Sequence, residues 1–185
     1  EYTARLTANG HTFTVPLTVK IDPRVNTSPA GLEEQFNLEM RLASELTAST
    51  EAVTQARSVV DQLHKLGTQS GRLAESIKAL DQKVGTILRG TMPPVSGSSE
   101  PTLNRENAAI GTLYASVGQA DAAPTAAQIS AAADAERDLS ALLKRWEDVK
   151  QTDLPALNRQ LKSAKLPEIG LESKAPMDQS GDDIE

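Results

Sequence analysis

The chain has 185 residues, 38% of them hydrophobic but only 3% aromatic, with a net charge of −6 and no cysteine. That composition suits alanine- and leucine-rich helix packing better than a β-sandwich core, and it excludes disulfide frameworks and thiolate metal sites. A sequence-independent nucleic-acid binder is also excluded, since neutralising phosphates takes clustered Lys and Arg, and no such run occurs.

Residues 2–21 carry a β signal. Tyr2, Ala4 and Leu6 alternate with Thr3, Arg5 and Thr7; beyond Asn9-Gly10, Phe13, Val15, Leu17, Val19 and Ile21 alternate with polar residues and Pro16. Period-two patterning around Asn-Gly predicts a hairpin with a type I′ turn. Pro16 on the polar side marks a free edge or a bulge. A two-stranded hairpin is marginal alone, so its apolar face calls for a partner. The pattern is already under way at Glu1-Tyr2, with no signal peptide or initiator Met ahead of it. The expectation is a piece of a longer polypeptide.

Ser28-Pro29 starts a helix, with Ser28 as N-cap and Pro29 at the first helical position. Leu32, Glu39, Leu46, Val53 and Val60 recur every seven residues, interleaved with Phe36, Ala43, Thr50, Ala56 and Leu63. The stripe predicts a helix over 29–66, a rod of about 57 Å stopped at Gly67. A second helix starts at Ser70, carries Leu73, Ile77, Leu80, Val84 and Ile87, and ends at Gly90. The Pro-, Gly- and Ser-rich stretch 91–101 is a loop. A third helix follows Thr102 as N-cap, with Leu103, Ile110, Leu113 and Val117 on its stripe. Thr125 and Gln128 form a capping box for a fourth, which runs through Leu139, Leu142, Trp146, Val149, Leu157 and Leu161. Pro155 predicts a kink or a brief restart of the helix near 152–153. From Pro167 the tail is acidic and loosely held.

The fold class is therefore mainly α: an antiparallel up-down bundle with two long and two short helices, preceded by a β-hairpin. The divisions are 1–25 for the hairpin, 26–166 for a four-helix bundle and 167–185 for the tail. The lengths suggest that the second helix returns part-way, the third heads out again and the fourth runs home. The half near the hairpin is then a two-helix stalk. Leu32, Phe36, Glu39, Leu157 and Leu161 would form an interaction surface there, against the hairpin's Tyr2/Phe13/Val15 face or in a homodimer.

Chemistry is sparsely signalled. No catalytic, cofactor-binding or metal-binding residue is assigned. His64 three residues after Asp61 is a single fragment of the paired motif that di-iron bundles use. Glu39 lies on the stripe, with Arg159 as a candidate partner. Asp134, Glu136, Arg137 and Asp138 form a solvated helix face. Glu147 and Asp148 are adjacent in a helix and cannot flank one glycosidic bond. Trp146 has the spacing of a core anchor. No apolar run is long enough to insert in a membrane.

The stretch from Glu1 to Val25, then Thr-Ser-Pro-Ala-Gly-Leu-Glu-Glu-Gln-Phe36 and the later Asp-Leu-Pro-Ala-Leu-Asn-Arg-Gln-Leu161, resembles one family. It is the C-terminal region of large exported bacterial proteins with sortilin-like or neuraminidase-repeat β-propellers, often labelled glycosyl-hydrolase-like. The hairpin resembles the last two strands of an immunoglobulin-like module in that family. The resemblance, which extends to about Ile169, implies upstream domains of the same polypeptide as partners. It also implies export to the periplasm, the outer surface or the medium. Any hydrolase site would lie in the propeller, and no catalytic residue carries over to this chain.

Overall fold

A computed structural model describes residues 2–67, 71–91 and 100–171. Strands β1 (Tyr2–Ala8) and β2 (His11–Leu17) form an antiparallel hairpin. Its turn residues Asn9 and Gly10 have φ of 50° and 80°, as a type I′ turn requires. Helix α1 (Pro29–Gly67) follows, then a 3₁₀ turn at Gly71–Leu73, α2 (Ala74–Arg89), α3 (Leu103–Val117), α4 (Ala126–Asp148) and α5 (Leu154–Ser163). The fold is mainly helical, up-down, with an N-terminal hairpin.

The start chemistry works as the sequence predicts at three helices, and Gly90 ends α2 with φ of 87°, whereas α1 runs through Gly67 instead of stopping there in a left-handed conformation. Gly31 N–H donates to Ser28 Oγ at 3.1 Å, Arg105 N–H to Thr102 Oγ1 at 3.2 Å, and Thr125 and Gln128 close a reciprocal capping box. The predicted helix start at Ser70 and most of the 91–101 loop lie outside the described residues. Thr125→Ala should cost about 1 kcal/mol, read as a lower urea midpoint at an unchanged slope; no shift in midpoint would show that the box contributes nothing.

The path of the third helix differs from expectation. Asn104 accepts from Arg57, Asn107 donates to Ser49 and Thr50, and the carbonyl of Val117 accepts from Gln35. Helix α3 thus runs antiparallel to α1 and reaches its N-terminal half. Helix α2 covers the other half in the same direction, with His64 facing Asp81. The two abut end to end: a Cβ on Gly90 would lie 3.2 Å from Thr102 Cγ2. Together α2 and α3 make one interrupted rod. Helix α4 runs parallel to α1, from Arg41 beside Glu136 to Gln55 beside Trp146. Any cross-section therefore holds three helices, rather than four at one end and a two-helix stalk at the other. Two half-length helices in series bury the whole length of α1, about 58 Å from its 39 residues, which a doubled-back α3 would leave half bare.

Packing also rotates the N-terminal half of α1. Gln35, Leu38 and Leu42 are buried, while Phe36 is 59% exposed and Leu32 and Glu39 are half-buried. The inward stripe sits one residue earlier than predicted, and a glutamine takes the place expected for Phe36. Gln35 Nε2 lies 2.9 Å from the carbonyls of Val117 and Ala120 and 3.1 Å from Glu39 Oε1. These bonds satisfy the end of α3 and the loop after it, and so compensate the buried amide.

Pro155 acts through a widened turn. Val149–Asp153 form a π-helical segment in which Leu154 N–H reaches Val149 O. The buried positions run Trp146, Val149, Leu154, Leu157, Leu161, and the five-residue step needs that extra residue per turn. The start of the tail is held more firmly than its composition suggests. Asn158 bonds both the N–H and C=O of Ile169, Gln62 does the same for Gly170, and Ile169 is buried. Residues 172–185 lie outside the described residues.

Candidate functional site

The register Tyr2↔Leu17, Ala4↔Val15, Leu6↔Phe13 puts one apolar face on the hairpin, with threonines, Arg5 and Pro16 on the other. Among the described residues, nothing covers that apolar face. Every residue from Tyr2 to Ile21 is exposed, with Tyr2, Leu6, Phe13, Val15, Leu17, Val19 and Ile21 between 51% and 71% accessible. The expected packing of Tyr2, Phe13 and Val15 against the helices does not occur. A contiguous apolar patch of this kind marks a contact site.

The predicted interaction surface is not one surface. Leu32, Phe36 and Glu39 lie at the start of α1, beside Gly118 and the loop after α3. Leu157 and Leu161 are buried in α5, whose neighbours are Gln62 and Ile169 at the other end of α1. The 27 residues from Gln35 to Gln62 separate the two groups by about 40 Å. The parallel run of α4 and α5 along α1 carries Leu157 and Leu161 away from the hairpin. With α3 and α4 covering α1 there, no two-helix half exists; the large apolar side chains that stay exposed on that part of α1 are Phe36 and Met40. Arg159 lies at the far end too, so Glu39 takes its hydrogen bond from Gln35 instead.

His64 pairs with Asp81 on α2 at 3.1 Å, not with Asp61. Among the described residues, no group of three or more His, Asp or Glu is placed to hold a metal. Trp146 is the expected core anchor, 2% exposed, with Nε1–H donating to Gln55 Oε1 at 3.2 Å. Glu147 is exposed and bonded to Lys150 and Gln151, which hold its carboxyl below the usual range.

One cluster escaped the sequence. Glu45 of α1 meets Glu136 of α4. Glu45 Oε2 and Glu136 Oε1 are both buried without an aligned donor; Arg41 Nη1 lies 3.1 Å from the latter as an ion-pair contact. Burial, then the charge and hydrogen bond of Glu136, push the Glu45 carboxyl up to about 7, against an opposing pull from Arg41. Nearby on α3, Glu106 is buried and its carboxyl is also raised, by burial first and then by Asp138, with Arg105 opposing. Two touching carboxyls can share one proton; they do not leave the gap of roughly 5 Å or more that a glycosidase dyad keeps around its substrate. The clue available in the sequence was spacing: Glu136 lies four residues after Ala132 and three before Leu139, on the margin of the buried stripe. Arg137, by contrast, pairs with Asp134 and Asp138 on the solvated face, as expected.

The fold and these sites define a helical rod bearing an amphipathic β-hairpin with a bare apolar face. No family model matches the sequence, and no curated protein or solved structure gives a significant match. No helix among the described residues is long and apolar enough to cross a membrane.

Proposed function

We propose that this chain is a non-catalytic helical spacer and interaction module of a larger exported bacterial protein, one of the β-propeller, glycosyl-hydrolase-like kind that its hairpin and helix-start residues resemble. The observation that carries this reading is the exposed apolar hairpin face next to a continuously packed rod of about 58 Å. A core buried along the full length of α1 suits a stiff spacer. An uncovered sheet face suits attachment to β structure elsewhere in the same polypeptide.

The test compares the full-length polypeptide with a version lacking residues 26–185, and both with the isolated chain. Glycoside and peptide hydrolysis should be absent from the isolated chain, and whatever activity the full-length protein has should survive the deletion. Turnover by the isolated chain would refute the proposal.

A further inference from the structure

Residues 166–171 pass between α1 and α5 and are gripped from both sides. On the α5 side, Asn158 Nδ2 donates to the Ile169 carbonyl at 2.9 Å, and its Oδ1 accepts from the Ile169 N–H at 2.8 Å. On the α1 side, Gln62 Nε2 donates to the Gly170 carbonyl at 2.8 Å, and its Oε1 accepts from the Gly170 N–H at 3.0 Å. A carboxamide carries both a donor and an acceptor, so each side chain satisfies both backbone groups of one residue, as a neighbouring strand would. Ile169 is buried, and Leu166 and Leu171 are half-buried.

Helix α5 leans on this strap. Its backbone does not run in close contact with that of α1. Open grooves flank it, one of about 450 Å³ beside Leu154, Pro155 and Leu171, another of about 590 Å³ beside Leu73, Ala156 and Ala164. Ahead of it, the π-helical turn joins it to α4, with Asp153 paired to Lys83. Behind it, a Schellman turn sends the chain back, with Leu166 N–H bonded to Leu161 O at 2.9 Å and Lys165 N–H to Lys162 O at 3.1 Å. Lys165 takes a φ of 59° there, where glycine is usual.

We propose that Gln62 and Asn158 form a recognition site for an extended peptide anchored by an isoleucine, that residues 166–171 of the same chain fill it, and that this strap fastens α5 to α1. The main chain supplies four hydrogen bonds and Ile169 the apolar anchor, the division of labour by which extended peptides are recognised. The site lies wholly within this chain, so it stands whether or not the spacer reading does.

Amide hydrogen exchange on the 185-residue chain tests this. The amides of Ile169 and Gly170 should exchange in step with those of α5, and faster than the core of α1. Gln62→Ala lies outside α5, yet it should speed exchange at Ile169, at Gly170 and through α5 by about 10-fold, with α3 unchanged. Asn158→Ala should do the same, although alanine favours helix. Ile169→Ala should free the strap. A peptide of residues 165–171, at about millimolar concentration to match a tethered segment, should then restore the protection of α5. Unchanged α5 exchange in Gln62→Ala would show that direct packing holds the helix, and overturns the latch. Equal loss of protection in α3 would make the strap part of the general core, and overturns it too. No restoration by the peptide, or equal restoration by a peptide carrying Ile169→Asp, overturns the recognition site. Protection of Ile169 and Gly170 that rises with protein concentration would place a second copy's strap in the site, and overturns the assignment within one chain.

Discussion

Trp146→Ala should destabilise the chain by about 3–5 kcal/mol, a large part of the 5–15 kcal/mol that holds an ordinary domain together. Trp146 is 2% exposed on α4, where α4 meets α1 just before the π-helical segment, and its Nε1–H satisfies Gln55 Oε1. Truncation removes the largest buried side chain, opens a cavity between helices and leaves a half-buried amide oxygen without its donor. The loss should appear as a lower urea midpoint followed by circular dichroism, with little change in slope. Trp146→Phe retains most of the packed volume and loses the indole donor, so a cost of about 1–2 kcal/mol is expected. A cost below about 1 kcal/mol for the alanine variant would mean that the helices close over the gap, and that Trp146 is not the anchor its burial implies.

Stability should fall as pH rises from 5 to 8, opposite to the usual behaviour of an acidic protein whose carboxylates are ion-paired. The cause is the Glu45–Glu136 contact between α1 and α4. The folded carboxyl of Glu45 titrates at about 7 against an ordinary value of 4.5. A raised folded value means that the native state holds a proton the unfolded chain has released. The contribution is therefore complete below about pH 4.5 and is lost as pH climbs through about 7. A shift of that size would be worth about 3 kcal/mol for a fully buried group. Glu45 is only half-buried, and solvent screening reduces the figure to about 1–2 kcal/mol, or about 3–6 °C in Tm. The groups facing it are Glu136 and Arg41; Glu106, with Asp138 and Arg105 beside it, adds a smaller slope of the same sign. Glu45→Gln supplies an amide donor where the shared proton was, so most of the slope should vanish and stability at pH 8 should rise. A wild-type melting temperature that is flat across this range, or an unchanged slope in Glu45→Gln, would disprove the shared proton.

What could be read in advance follows from how local each signal is. Ser28, Thr102 and the Thr125/Gln128 box act within one helical turn, and Asn9-Gly10 within one loop, so their roles needed no knowledge of neighbours. Pro155 was readable as a perturbation, but its form was not. Only the need to bury Val149 and Leu154 together selects a π-helical turn over a simple kink. The rotation of α1 was hidden because Phe36 and Gln35 are adjacent and hydrophobicity favours burying the phenylalanine. The carbonyls of Val117 and Ala120, more than 80 residues away, decide for the glutamine. Glu136 read as part of a solvated helix face and Glu45 carried no signal of its own, because their meeting depends on how α4 is aligned along α1.

By itself, the sequence determined where the four helical segments lie, the last of them interrupted near Pro155, together with the N-caps Ser28, Thr102 and Thr125, the hairpin and its turn, and the apolar face on that hairpin. These depend on periodicity and on chemistry within a few residues. The tertiary structure decided that α2 and α3 run in series along α1, that Leu157 and Leu161 lie about 40 Å from Leu32 and Phe36, and that the hairpin face stays bare. Helix direction after a long loop is chosen by which arrangement buries the most apolar surface, a property of the whole chain and of no segment alone.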